Sequence, residues 1–308
     1  MKIKAIASSL VLLIMGMLLV SCGSDATPTP PPTIKVKLLS SWSPVLEFAN
    51  VTEAAVFDTI REKTNGVVDI ERVAGPESVP TFEQFVPVRD GLFDALSTTI
   101  TYHPEFTDIG SVHNYYDIVS NPYADRLSCG SEDMIRSVYD THNVKYLGIA
   151  HLFVGVRTFL KDKPANLMDL SGSRIRSGGS SSTVLLKKLK ASTVVVPFPE
   201  IYQALERGVI DGMVIGGGAS VAQALSWDEV VNYHVSPPLG ETQLIYIMNM
   251  DTWNKIPAEY QTIVLDSFTD INAKLGEALV KLDKDALVAM EAKGTLEEIK
   301  LDDATWKF

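Results

Sequence analysis

The sequence predicts an α/β fold, and three observations carry that reading. β-rich runs alternate with stretches of helical apolar spacing along the folded part of the chain, the pattern of a parallel sheet with helices on its faces. Residues 167–212 compress the same alternation into one segment: strand, small-residue loop, helix, strand, Pro-punctuated helix start, strand. The chain is 46% hydrophobic and more than 270 residues long after a polar N-terminal stretch, enough to bury a sizeable core without staples.

Taken in order, Ile34 to Leu39 alternates and forms a first strand, with Trp42 just past its end, where cleft residues lie. Val51, Ala54, Ala55, Phe57 and Ile60 space a helix over residues 48–64, which stops at the Asn65-Gly66 cap pair. Val67 to Val73 is a second strand. A helix around Thr81 to Asp90 follows, then a short strand from Phe93 to Thr99 that ends in hydroxyls. Residues 101–143, rich in Tyr, Asp and His, yield one helix, Ser131 to Thr141. Val144 to Val156 is apolar and strand-like and carries the chain past Arg157. The strand Ser173 to Arg176 leads through a Ser/Gly loop into a helix opening near Thr183. After Asp251 a helical tail runs to Ala292, with apolar positions at Val264, Phe268, Ile271, Leu275, Leu279 and Leu282.

The N-terminus reads as a targeting segment. Lys2 and Lys4 precede an apolar run from Ile6 to Val20, too short and wrongly flanked for a span. Leu19-Val20-Ser21-Cys22 resembles a bacterial lipobox, which implies cleavage of residues 1–21 and acylation of Cys22; an ordinary secretory signal is the alternative. Residues 22–33, with four prolines, then form an extended tether that holds the folded part off a membrane surface. Lipid on Cys22 leaves Cys129 as the remaining thiol, so no disulfide is expected. The net charge is −11, and loss of Lys2 and Lys4 takes it to −13. That argues against nucleic acid as a partner and means that any anion site must be local.

Arg176 stands at the carboxyl end of its strand, beside Ser177, a row of small residues and a helix start. In open α/β sheets ligands settle beyond the carboxyl ends of strands, and helix N-termini offer unpaired N–H groups. A guanidinium, hydroxyls and a helix start together suit an anion, most naturally a carboxylate. Leu170-Ser171-Gly172-Ser173-Arg174-Ile175-Arg176 resembles the signature of the tripartite ATP-independent periplasmic (TRAP) transporter solute-binding proteins of the dicarboxylate-binding DctP type. Val196 to Leu205, Gly208-Val209-Ile210-Asp211-Gly212, Glu229 to Tyr233 and Asn249 to Pro257 resemble later blocks in the same order.

The resemblance implies a two-lobed periplasmic-binding-protein-like fold with crossover strands, a hinge and a long C-terminal helix bracing both lobes. Lobe I would hold residues 34–153 and about 240–281, with a return strand from Thr242 to Met248. Lobe II would hold 154–239 and about 282–308. The chain stops at Phe308, earlier than many relatives, so a final helix is expected to be missing. The implied protein is an extracytoplasmic receptor that delivers a small organic acid to TRAP membrane subunits, touches the membrane through its lipid alone, and needs no cofactor or metal.

In such receptors an Arg at the position of Arg176 clasps the ligand carboxylate; a structural ion pair is the competing role. Arg157 is a second ligand candidate, a hinge salt bridge its alternative. Arg174, two residues from Arg176, reads as structural or solvent-facing. Trp42, Thr98 and Tyr102 are cleft candidates by position, and Trp42 with Tyr102 would sandwich a flat ligand unless they are core residues. Tyr202 reads as packing, and His103 as a polar rim residue. Where relatives place a polar residue, this chain has Ile215 followed by Gly216. That implies an apolar pocket wall, favouring a carboxylate with an apolar or aromatic body, or backbone contacts to the ligand, with simple packing of Ile215 as the alternative.

Enzyme motifs are missing. Gly216-Gly217-Gly218 lacks the rest of a phosphate loop, no Gly-x-Ser-x-Gly elbow occurs, and the five histidines form no His-Glu-x-x-His pattern. A receptor feeding a sensor, an exported α/β enzyme and a structural surface lipoprotein stand as alternatives.

Overall fold

The computed structural model describes residues 32–107, 127–239, 241–294 and 296–301. The expected signal segment, Cys22 and the tether as far as residue 31 lie outside them, as does the stretch after Leu301. Among the described residues no helix is long and apolar enough to cross a membrane.

Strand β1 (Ile34–Ser40), helix α1 (Glu47–Lys63) and β2 (Val68–Ala74) form a parallel βαβ unit. The helix expected over 81–90 is instead a 3-10 turn, Thr81–Glu83, followed by a short α2 (Phe85–Arg89). Pro87 has no N–H to offer the carbonyl four residues back, so one continuous helix cannot form there. Strand β3 (Ala95–Thr98) runs parallel to β1. After α3 (Ser131–Asp140) comes β4 (Val144–Val154). The long strand expected to reach Val156 breaks at Gly155, whose φ of +111° turns the chain.

The chain continues through β5 (Arg157–Leu160), β6 (Arg174–Ser177), α4 (Ser180–Lys188), β7 (Ser192–Val195) and α5 (Ile201–Glu206). Then follow β8 (Gly212–Ile215), α6 (Gly218–Ala224) and β9 (Tyr233–Ser236). The chain returns along β10 (Glu241–Asn249), and after α7 (Met250–Trp253) the 35-residue α8 (Ala258–Ala292) leads to β11 (Glu297–Lys300).

Two sheets result, ordered β2-β1-β3-β10-β4 and β11-β9-β5-β8-β6-β7. In the first, β10 is antiparallel to both β3 and β4. In the second, β5 is antiparallel to β8 and β9, while β6 is parallel to β7 and β8. The chain crosses between the sheets after β4, again before β10, and a third time along α8.

Strand periodicity divides the core. Along β10, Leu244, Tyr246 and Met248 face a core shared by both sheets, while Ile245 and Ile247 face a second cluster under α2 and α3. Along β8, Met213 and Ile215 face the shared core, and Val214 faces a third cluster with Ile175 and Leu186. Helix α8, about 52 Å long at 1.5 Å per residue, lies over the shared core. Its first half buries Val264, Phe268, Ile271 and Leu275 against β4 and α1. Gly148 permits this approach, since a Cβ there would lie 2.9 Å from the Phe268 side chain. The second half buries Asp283, Ala286 and Met290 and packs on α6.

Candidate ligand-binding site

Arg176 is a large charged side chain held 2% exposed at the end of β6. Its Nε donates to Val196 O and its Nη1 to Val214 O, both at 3.2 Å. The guanidinium carbon lies 5.9 Å from the centre of the Phe198 ring. These contacts fix the plane of the fork, which is what two-pronged recognition of a carboxylate requires. Arg176 also reaches across to Tyr102 of the other sheet's side. Burial pushes the Tyr102 phenol up, and the charge and hydrogen bond of Arg176 pull it the other way.

Around this guanidinium lies a cavity of about 50 Å³. One wall comes from segments that follow β1 and β3, namely Trp42, Thr99, Thr101 and Tyr102, with Phe48 from α1. The opposite wall is Val156, Gly178, Gly179, Ser182, Phe198, Val214 and Gly216, from the second sheet and its loops. The two walls meet at Thr101 and Gly179, where a Cβ on the glycine would lie 3.1 Å from Thr101 Cβ. Past this neck a larger space of about 470 Å³ opens, lined by Phe82, Glu105, Ser177, Thr183 and Val195 among others.

Of the residues singled out in the sequence, Arg176, Trp42, Tyr102 and Gly216 line the inner cavity, and Ser177 lines the outer one. Ser177 Oγ donates to Gly179 O at 2.7 Å and lies 2.7 Å from both Ser182 Oγ and Thr183 Oγ1. The helix expected to open near Thr183 begins at Ser180. The Ser182 and Thr183 hydroxyls lie inside its first turn and bond back to Gly179 O.

Three candidates lie elsewhere. Ile215 is 1% exposed and absent from the cavity wall, because the period of two along β8 puts it with Met213 in the shared core. Thr98 is buried and accepts from Ser41 Oγ at 2.8 Å, its hydroxyl inside the sheet; Thr99 and Thr101, just beyond the strand, face the cavity instead. Arg157 turns away, and its Nη2 donates to Asp283 Oδ2 of α8 at 3.0 Å. Trp42 and Tyr102 do not flank a slot. Their ring centres are 5.7 Å apart, less than the roughly 7 Å that two stacking contacts of about 3.5 Å demand.

Neighbouring groups explain other features of the sequence. The Gly216-Gly217-Gly218 run opens α6, whose Ala219 and Ser220 N–H groups donate to Asp283 Oδ1 at 2.6 and 3.3 Å. Its helix start is therefore capped by the protein's own carboxylate. Gly218 has φ +60°, and a Cβ there would lie 2.1 Å from Asp283 Oδ1. His103 is no rim residue: it is 2% exposed, stacks on Phe85 and lies 2.6 Å from Tyr139 Oη. Arg174 is solvent-facing and paired with Asp211. Tyr202 packs against the shared core and donates to Glu229. Among the described residues no three His, Cys, Asp or Glu side chains group as metal ligands.

A two-sheet α/β body joined by crossover strands, with a buried arginine between the sheets, defines the class of two-lobed solute-binding proteins. Within that class the chain belongs to the DctP family, bacterial extracellular solute-binding protein family 7, whose pattern matches residues 49–305. It is 25% identical over 286 residues to a monocarboxylate 2-oxoacid-binding periplasmic protein of Nostoc sp., covering 90% of this chain and 78% of that one. Solved structures share the fold. A TRAP periplasmic solute-binding protein from Desulfovibrio salexigens with bound orotic acid superposes with a TM-score of 0.76 at 22% identity, covering 89% of this chain and 88% of that one. One from Colwellia psychrerythraea with bound calcium and pyruvate gives 0.78 at 18%, covering 89% and 85%.

Proposed function

We propose that the protein is the extracytoplasmic solute receptor of a TRAP-type secondary transporter. It binds one small organic acid in the cleft between its sheets and hands it to membrane subunits, without catalysis. The observation that carries this reading is the Arg176 guanidinium, buried and held by backbone carbonyls in a cavity whose walls come from both sheets. Membership of the DctP family supports it, as do relatives that bind a 2-oxoacid, orotate or pyruvate.

In this reading Arg176 receives the ligand carboxylate, while Trp42, Tyr102, Ser177 and Gly216 border the rest of the ligand. Lobe I comprises residues 34–153 and about 240–281, lobe II 154–239 and about 282–308. A ligand that touches both walls favours the closed arrangement of the lobes. The lipobox-like Leu19-Val20-Ser21-Cys22 and the proline-rich stretch after it support a lipid anchor at Cys22, with residues 1–21 removed and the membrane touched through that lipid only.

The test is a thermal-shift screen of organic acids followed by calorimetry on Arg176→Ala and Arg176→Lys. A ligand that binds only the folded state raises the melting temperature by mass action. Removing one partner of a buried charged pair costs about 2–5 kcal/mol, so Arg176→Ala loses affinity by about tenfold or more, and Lys, which lacks the planar fork, is also impaired. Unchanged affinity in both variants refutes the role of Arg176. A screen in which no organic acid raises the melting temperature refutes the receptor itself.

A further inference from the structure

We infer that Thr101 and Gly179 form a gate between the two spaces of the cleft, and that their contact sets the size of the acid the receptor accepts. An acid of about three or four carbons is enclosed behind the gate, whereas a longer one must hold it open. The inference rests on the receptor reading above and adds to it the residues that select by length.

Thr101, Tyr102, Gly178 and Gly179 line both the inner cavity around Arg176 and the outer space, so they stand between the two. A Cβ on Gly179 would lie 3.1 Å from Thr101 Cβ, 3.3 Å from its Cγ2 and 3.6 Å from its Oγ1. The Gly179 Cα lies one bond of about 1.5 Å behind that point, and so no more than about 4.6 Å from Thr101 Cβ. A methylene passing between them would need about 3.5 Å or more on each side, roughly 7 Å in all. The two walls are therefore in contact here, and no alkyl chain threads between these residues.

Both sides of the contact are fixed. Gly179 O accepts from Ser177 Oγ at 2.7 Å, Thr183 Oγ1 at 2.9 Å and Ser182 Oγ at 3.0 Å, which pins the residue at the start of α4. Thr101 lies in a 3-10 turn, Ile100–Tyr102, between two buried neighbours. Tyr102 in turn packs on Trp42 and edge-on to Phe82. Gly179 has φ −178°, extended backbone that any residue adopts, so glycine serves there for space and not for conformation. The inner cavity of about 50 Å³ holds about three to five water-sized bodies at about 10–15 Å³ each, the bulk of a three- or four-carbon acid whose bonded atoms overlap. With its carboxylate on Arg176, such an acid leaves the gate shut and water excluded. A longer acid keeps the walls apart, and loses both their contact and the dry surroundings that strengthen its charged hydrogen bonds.

The test is calorimetry with one head group and a growing chain: pyruvate, 2-oxobutyrate, 2-oxohexanoate and 2-oxooctanoate. The proteins are wild type, Gly179→Ala, Thr101→Gly and the double variant. Wild type is expected to bind the better of the two short acids about tenfold or more tightly than 2-oxooctanoate. Gly179→Ala pushes the walls apart and should weaken the short acids by about tenfold, while its melting temperature stays within a few degrees of wild type. Thr101→Gly opens the gate and should cut the preference for short acids to about threefold or less. The double variant moves the side chain to the opposite wall, so it should bind the short acids at least about threefold more tightly than Gly179→Ala alone. That recovery also guards against misfolding, since a second change that only removes atoms does not refold a damaged variant. Equal binding of short and long acids by wild type, a length preference that survives Thr101→Gly, or no recovery in the double variant overturns the inference. If one of those results holds while Arg176→Ala abolishes binding of these acids, the gate fails and the receptor reading stands. If wild type binds none of the four, the inference is overturned, and the wider thermal screen decides the receptor reading by itself.

Discussion

Arg157 Nη2 donates to Asp283 Oδ2 at 3.0 Å, joining the first residue of β5 to the second half of α8. The other carboxylate oxygen, Oδ1, caps α6 through Ala219 and Ser220. One buried aspartate thus ties the long helix to two elements of the second sheet's side. Breaking a buried pair by removing one partner typically costs about 3–5 kcal/mol, because the surviving charge stays desolvated. Asp283→Ala should therefore cost about 3 kcal/mol or more in urea unfolding, and Gly218→Ala should also destabilise, since its Cβ meets the same carboxylate. The double change Arg157→Met with Asp283→Leu should recover the part of the loss that comes from the stranded Arg157 charge, and not the part that comes from the lost cap on α6. A cost below about 1 kcal/mol for Asp283→Ala would show that the tie contributes little.

Gly178 guards the position of the Arg176 fork. A Cβ at Gly178 would lie 2.7 Å from Arg176 Nη1 and 3.4 Å from Cζ. The guanidinium is the part that must give way, because Gly178 does not need the left-handed backbone that alanine resists. Gly178→Ala is expected to leave stability within about 1 kcal/mol and to weaken binding of whichever acid the thermal screen identifies by about tenfold or more. Calorimetry that shows unchanged affinity would mean that the fork has room to shift without loss.

The sequence carried the scaffold of the cleft better than its lining. Arg176 was legible because β6 ends in a run of small residues; of the hydroxyls at the end of β3 the sequence pointed to Thr98, whereas Thr99 and Thr101, just beyond the strand, line the cavity. Ile215 was not, because β8 is buried on both faces, and a continuous apolar run does not reveal which face looks at a ligand. Arg157 was ambiguous because its partner lies 126 residues away. Strands of four residues such as β5, β9 and β11 show too little alternation to be recognised locally, and long-range pairing defines them.

His103 predicts a pH dependence. Burial, with a smaller contribution from the neighbouring His142, lowers its pKa from 6.5 to about 3. In the folded protein the ring therefore stays neutral, stacked on Phe85 and hydrogen-bonded with Tyr139, while the unfolded chain takes up a proton below about pH 6.5. Its stabilising contribution is complete above that pH and is lost as the pH falls towards about 3, at about 1.4 kcal/mol per pH unit. Between pH 7 and pH 5 wild type should lose about 2 kcal/mol more than His103→Phe in urea unfolding, even if the variant is less stable throughout. Parallel losses in the two proteins would mean that His103 takes up a proton in the folded state too.

Arg174 and Arg176 stand two residues apart on one strand, and their environments separate their roles. The Arg174 side chain is 48% exposed, and its Nε and Nη2 grip Asp211 at 3.0 and 2.7 Å. This pair lies at the start of β6, away from the carboxyl end where the cavity opens, and water screens it. Arg174→Ala should thus cost less than about 1 kcal/mol and leave ligand affinity within about twofold. Asp211 does more: the same carboxylate accepts the Arg174 backbone N–H at 2.8 Å, and hydrogen bonds from Arg174 hold its pKa below the usual carboxylate range. Asp211→Ala removes both contacts and should destabilise more than Arg174→Ala does, again with little effect on binding. Urea unfolding and calorimetry on the two variants read these effects separately. An affinity loss of about tenfold in Arg174→Ala would place the first arginine of the strand, and not only the second, within electrical reach of the ligand.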